Sequence, residues 1–305
     1  MIFKTIVAIA IMTTMAFYNA NAQYANPLKD AVYYNVEKAI EKDLNARNLN
    51  LRDQQLFVIP SKIVKLESLQ FLNAMRNNFE QWDEVLFQLK NLEVLNLKAN
   101  GLTTIPSDIN KLSNLTSLDL ADNGIIEISE AIGTLNKLQN LHLSGNTLVR
   151  IPDAITQCTT LKVLQLDNNQ LSYLPENMEN FKALKMLDLG YNQFYEIDAS
   201  WLQLNNLLEL NIEHNNLRAI PSNIDGLESL TTLKLNDNKL TSIPEELIAL
   251  KNLELLILSN NQLKILPKNL KDLPKLTTLI LTKNNFSPQE QARIKTALPH
   301  CSVYF

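Results

Sequence analysis

The 305-residue chain is 46% hydrophobic and 20% charged, which is enough apolar material to bury a core and too much for a disordered polymer. Its 28 Lys and Arg against 32 Asp and Glu leave a formal charge of −4, which builds no basic field and argues against nucleic acid as a partner. With 3 His, 2 Cys and 6 Gly there is too little material for a Cys/His zinc cluster, a disulfide framework or a glycine-rich phosphate loop, so neither metal nor cofactor is expected.

Residues 1–22 read as a secretory signal peptide: Lys4 near the start, the apolar run Ile6–Met12, and the small-residue exit Ala20-Asn21-Ala22. The alternative is an uncleaved anchoring helix, but the apolar centre is too short for a permanent span, and charged residues or Asn interrupt every later apolar run. An exported chain with no permanent membrane anchor is expected: secreted, periplasmic or at the cell surface. Residues 23–45 follow, where Asn26-Pro27 offers a cap and first helical residue, and Leu28, Val32, Val36, Ile40 and Leu44 recur at one-turn spacing. This spacing predicts an amphipathic N-terminal helix.

From residue 46 to 286 one pattern repeats about eleven times. Leu69, Leu92, Leu115, Leu138, Leu161, Leu184, Leu207, Leu230, Leu253 and Leu276 are spaced by 23 residues without a slip, and eight residues after each stands an Asn, from Asn77 to Asn284. One copy reads Leu230-Thr-Thr-Leu233-Lys-Leu235-Asn-Asp-Asn238-Lys-Leu240-Thr-Ser-Ile243-Pro244, and a degraded earlier copy is visible at Leu49, Leu51, Gln54, Leu56, Ile59 and Pro60. Leu233 and Leu235 alternate with Lys234 and Asn236, the period of a strand with one buried face. Pro244 removes a backbone donor on the return path, so that segment is expected to be extended or a short helical turn rather than another sheet. The Asn side chain, with one acceptor and two donors, suits the place where each strand ends and backbone groups need partners.

These residues resemble the leucine-rich repeat family. The resemblance implies an α/β solenoid, a curved right-handed superhelix with a parallel sheet on its concave face, in which each copy contacts mainly its neighbours. Both ends of such a stack need covers, and the N-terminal helix is expected to be one. At the other end, residues 287–305, Ser287-Pro288-Gln289-Glu290 has the form of a capping box, Ile294 and Leu298 face inward, and Cys301, Val303 and Phe305 alternate as a final strand. This end resembles the terminal helix and strand of secreted bacterial members. Cys158 falls at a core position about six coils from Cys301, a separation near 29 Å at ~4.8 Å per strand, beyond a disulfide's reach of about 7 Å.

Since the frame repeats, function is expected on the outward side chains of the sheet, a face about 50 Å long at ~4.8 Å per strand. The first strands carry Arg52, Phe71, Met75, Arg76, Val94 and Lys98. The middle is acidic, with Asp119, Asp167, Asp188, Glu209 and Glu213, and includes His142 and Tyr191; the last strands bring Leu255, Ile257 and Ile280 together. Asp119, His142, Asp167, Asp188, Tyr191, Glu213, Leu255, Ile257 and Ile280 are therefore the partner-binding candidates. The acidic centre reads either as a solvated face or as a dock for a basic partner, and the aliphatic group either as a contact patch or as a surface that the C-terminal cap covers.

Members of the family are mostly recognition scaffolds, so the resemblance implies a protein partner. Two other readings stay open: a glycan-binding envelope protein, for which only Phe71 and Tyr191 are placed as platforms, and a structural component that self-associates through its last strands. Catalysis is not expected. His142 sits one strand from Asp119 and on the same strand as Ser144, but an open sheet supplies neither a lid nor spare backbone donors for an oxyanion. Asp119, His142, Asp167 and Asp188 likewise lack the enclosing loop a hard cation uses.

Overall fold

The computed structural model describes residues 31–305. The signal peptide and the first part of the expected N-terminal helix lie outside the described residues. Within them, parallel strands pair in chain order into a 13-stranded sheet, from Val32–Tyr33 at one end to Ser302–Tyr304 at the other. From Asn48–Asn50 to Thr278–Ile280 each register step equals the 23-residue repeat, as in Leu187 against Leu210 and Leu210 against Leu233. Chain return runs through short 3-10 turns such as Ser107–Lys111, Asp153–Gln157 and Glu245–Ala249. A 3-10 turn is wider than a strand is thick, so the sheet takes the short, concave side of the stack.

The inward Leu column fills one continuous core: Leu118, Leu141, Leu164, Leu187, Leu210 and Leu233 are all buried. Each such side chain contributes about 1.5–3 kcal/mol of apolar burial. Coils pack so closely on the return side that a Cβ at Gly133 would run into the Ala154 carbonyl, and one at Gly226 into that of Leu202. Trp201 is buried edge-on against Phe194, and Trp82 stacks on Phe87 while its indole N–H donates to the Thr104 carbonyl at 2.7 Å. Cys158 is buried with its thiol donating to the Ile132 carbonyl at 3.3 Å, and both it and Cys301 are free thiols that burial pushes up to about 11.

At each strand exit the ladder Asn closes the coil. Asn192 accepts from the Leu171 N–H at 2.9 Å and donates to the carbonyls of Leu166 at 2.9 Å, Leu189 at 3.1 Å and Gly190 at 3.1 Å. Asn146, Asn169, Asn215, Asn238 and Asn261 repeat this pattern coil after coil. One side chain thereby satisfies backbone groups of its own coil and of the preceding one, where no strand partner remains.

Three expectations are corrected. The N-terminal helix does not run through Val32 to Leu44: Val32 and Tyr33 form a strand paired with Asn48 and Leu49, the helix is Val36–Lys42, and Leu44 is exposed. Asn35 is its cap, accepting from the Lys38 N–H at 3.0 Å, and the strand before it occupies the sheet edge that Asn48–Asn50 would leave unpaired. The return side is also not free of sheet, since Thr104–Ile105 pairs with Glu127–Ile128. There Ser129 replaces the usual Pro, so its N–H reaches the Ile105 carbonyl at 2.9 Å, and the pairing stops where Pro152 has no donor to give. Finally, Ser287 caps the C-terminal helix Pro288–Ala297 by accepting from the Glu290 N–H at 3.2 Å, but the Glu290 carboxylate does not complete the box. It accepts instead from the Leu266 N–H at 3.0 Å and pairs with Arg293 at 2.7 Å, which ties the cap to the last coil.

Replacing Asn192 with Ala strands the Leu171 N–H and takes one of two donors from each of the carbonyls of Leu166, Leu189 and Gly190, and is expected to cost about 1–3 kcal/mol, chiefly for the buried N–H left unpaired. The urea midpoint reads it, and a loss below about 0.5 kcal/mol would contradict the ladder's role.

Candidate functional site

On the sheet's outward face the strands bring Asp119, His142, Gln165, Asp188, Asn211 and Lys234 into one row by register. Two residues further along each coil, Ser144, Asp167, Gly190, Glu213 and Asn236 form a second row. Asp119 is buried and accepts from the Ala121 N–H at 3.1 Å. His142 Nδ1 is bonded to Gln165 Oε1, and the Ser144 hydroxyl donates to Asp167. Imidazole and hydroxyl on that strand thus have different partners, so the Asp119, His142 and Ser144 cluster is not joined as a relay.

Asp188 is buried to 8% exposure and accepts from the Gly190 N–H at 3.1 Å. Desolvation first and the Asp167 charge second push its carboxyl up to about 7, against the opposing pull of the Gly190 N–H, Lys234 and Asn211. Glu209 on the next strand and Lys234 on the one after it form a buried ion pair at 2.6 Å. Glu213 accepts from Asn236 at 2.8 Å.

Of the two readings of Leu255, Ile257 and Ile280, the contact patch is not found and the cap covers them. They are 6%, 6% and 4% exposed, packed on one another and under Tyr304 of the last strand. Parallel pairing of Ser302–Tyr304 with Thr278–Ile280 brings Tyr304 beside Ile280, so the cap covers the aliphatic surface.

A further row lies at the exit edge of the sheet. The residue before each ladder Asn is left-handed: Arg76, Ala99, Asp122, Gly145, Asn168, Tyr191, His214, Asp237, Asn260 and Lys283, with φ between 49° and 65°. This conformation costs an ordinary L-residue about 1–2 kcal/mol and suits Gly, Asn and Asp. The backbone turns these side chains together. Tyr191, 46% exposed, stacks on His214 with centroids 4.1 Å apart, His214 Nε2 meets Asp237 Oδ2 at 3.2 Å, and Asn260 donates to Asp237 at 2.6 Å. Of this group only Tyr191 was a sequence candidate; the Asp, Asn, Gly and His preceding successive ladder Asn residues were the signal for the rest.

The structure and sequence together place the chain among known proteins. Leucine-rich repeat family models match residues 136–194, 182–240 and 228–286, and a second such model matches 91–112 and 114–135. A solved leucine-rich repeat protein of Leptospira interrogans is 30% identical with a TM-score of 0.54, over 90% of this chain and 100% of that one. The functional domain of InlJ from Listeria monocytogenes is 26% identical, TM-score 0.71, over 87% of this chain and 54% of that one. The Arabidopsis receptor kinase HAESA, solved with the peptide hormone IDA and the co-receptor SERK1, is 30% identical, TM-score 0.60, over 81% of this chain and 47% of that one. This chain thus spans the whole of the Leptospira chain and about half of the other two. No match is found among curated proteins. The chain belongs to the leucine-rich repeat family.

Because the Asp188 carboxyl titrates higher folded than unfolded, its charge opposes folding, and stability attributable to it falls as pH rises from about 4 through about 7. Asp188→Asn keeps the acceptor for Gly190. It is expected to unfold at higher urea than the parent at pH 8, by about 1–3 kcal/mol, with the gain vanishing near pH 4. Equal destabilisation at both pH values would contradict the placement of a buried carboxylate here.

Proposed function

We propose that the protein is an exported, non-enzymatic recognition scaffold that binds a protein partner through the concave face of its sheet. The observation that carries the reading is the contrast between frame and face. Inward positions repeat Leu and Asn from coil to coil, while the outward row changes at nearly every strand, from Asp119 through His142, Gln165 and Asp188 to Asn211 and Lys234. A frame so uniform leaves its outward side chains free to differ without loss of packing. HAESA, of similar fold, is solved holding a peptide hormone, which supports a polypeptide as the partner here.

Export rests on the signal-like residues 1–22, and no helix among the described residues is long and apolar enough to cross a membrane. The glycan alternative retains one aromatic platform, Tyr191 stacked on His214, since Phe71 is half-buried. Self-association through the last strands loses its basis with Ile257 and Ile280 covered.

A photo-reactive phenylalanine analogue at Lys98 or Gln165 on the face, or at Lys111 or Glu246 on the return side, tests the reading in an extract of the native envelope or host. Protein adducts are expected from the two face positions only. Equal labelling from both sides, or no protein adduct from the face, would overturn it.

A further inference from the structure

In the ladder from Asn77 to Asn284, Asn100 and Asn123 alone are followed by glycine, where the other coils carry Asn, Thr, Gln or Lys. The fold asks for neither Gly101 nor Gly124. Of the 6 Gly in the chain, Gly145 turns left-handed at φ 65°, a Cβ at Gly133 or Gly226 would run into a backbone carbonyl, and one at Gly190 would lie 3.2 Å from Glu213 Cγ. Gly101 and Gly124 have no positive φ, and a Cβ there would come no nearer than 3.4 Å and 3.7 Å to any atom beyond the adjoining residues, an ordinary contact. These two glycines therefore cost conformational entropy on folding and relieve no clash.

What a glycine does change is the chemistry of the Asn before it. The peptide nitrogen that follows an Asn can attack the side-chain Cγ, and with no Cβ on the following residue that approach is unhindered. The deprotonated Gly101 nitrogen would bond to Asn100 Cγ, the side-chain nitrogen would leave as ammonia, and a five-membered succinimide ring would remain. Water then opens the ring at either carbonyl, which yields aspartate or isoaspartate, with one water consumed and one ammonia released. In the closed coil this step is blocked at both ends. Asn100 accepts from the Phe79 N–H at 3.2 Å and donates to the carbonyls of Ala74 at 3.2 Å and Leu97 at 2.9 Å, while the Gly101 N–H is held on the Phe79 carbonyl at 2.8 Å. Asn123 accepts from the Leu102 N–H at 3.1 Å and donates to Leu97 at 3.1 Å and Leu120 at 3.0 Å, with the Gly124 N–H on the Leu102 carbonyl at 3.0 Å. Both Asn residues are half-buried, whereas Asn77 and Asn146 on either side of them are buried, so water has access to these two.

We propose that Asn100 and Asn123 are sites of spontaneous conversion to aspartate and isoaspartate, held in check by the ladder's own hydrogen bonds and open to reaction only when these coils open. The converted coil does not close again. A carboxylate donates no hydrogen bond, so the carbonyls of Ala74, Leu97 and Leu120 would face an oxygen in place of an N–H, and isoaspartate adds a carbon to the backbone of the turn. The Leu97 carbonyl accepts from both Asn residues, so conversion of either one loosens two adjoining coils. Each brief opening of this part of the solenoid thereby carries a chance of becoming permanent.

Peptide mass mapping of the full chain, aged at pH 8 with and without urea, tests this. In urea the mass gain of an amide-to-acid change is expected at Asn100 and Asn123 about tenfold faster than at any other ladder Asn, because glycine alone leaves the attack unhindered. In the folded chain both conversions are expected to be slower by on the order of a hundredfold, since they wait for the coil to open. Chains converted at either position are expected to melt lower and to lose hydrogen-exchange protection in the strands Val94–Asn96 and Ser117–Asp119. Gly101→Gln combined with Gly124→Gln, copying Gln170 and Gln193 of the same row, is expected to abolish the conversion in urea while leaving the melting temperature of fresh protein unchanged. Equal rates folded and unfolded, equal rates at the other ladder Asn residues, or an unaltered melting temperature after conversion overturns the proposal. A fresh double variant that melts lower also overturns it, because the two glycines would then serve the fold.

Discussion

The structure depends on how each coil is closed at the point where strand pairing ends. A parallel strand three residues long leaves backbone donors and acceptors facing the core as the chain turns away, and no further strand is there to meet them. The ladder Asn meets them from both sides at once. By reaching 21 and 26 residues back as well as to its own turn, as Asn192 does to Leu171 and Leu166, it fixes the pitch between coils along with the shape of each. Leu burial supplies the driving force, but a Leu column alone would tolerate slippage; the Asn bonds specify the register.

With the pitch fixed, the chain turns left-handed at the residue before every ladder Asn, whatever residue stands there. At Asn168, Asp237 and Asn260 the sequence matches that backbone; at Tyr191 and Lys283 it does not. The same rigidity lets charges persist on the face that a softer structure would rearrange away. Lys234 and Glu209 are held as a buried pair, and Asp188 stays beside Asp167 although burial and its neighbour both oppose its ionisation. Repeat packing thus tolerates unfavourable local electrostatics on the outward face of the sheet.

The sequence made the frame legible because its signal is periodic. Leu69 to Leu276 and Asn77 to Asn284 each recur at a constant interval, so core, strand and ladder followed from spacing alone. What stayed hidden depended on contacts that break the period. Ile257 and Ile280 occupy outward positions, where spacing left a contact patch and a surface under the cap both open; the cover, Tyr304, comes from a final strand beyond the last repeat. Val32 fits a helical spacing, yet the open sheet edge beside Asn48 claims it for a strand. The pairing of Thr104–Ile105 with Glu127–Ile128 follows from a single N–H at Ser129. Of the candidate site, the acidic row was visible as composition, whereas the Tyr191, His214 and Asp237 group required knowing that consecutive left-handed residues project together.

Hydrogen exchange at the amides that donate to ladder side chains addresses the closure of the coils most directly. The N–H groups of Leu148, Leu171, Phe194, Leu217 and Leu240 have no backbone acceptor of their own and end on Asn oxygens at 2.9–3.0 Å. They are expected to exchange as slowly as the strand amides of the same coils, since both open only when the coil itself does. Exchange orders of magnitude faster at these five positions than in the adjoining strands would show that the Asn column decorates the solenoid rather than closing it.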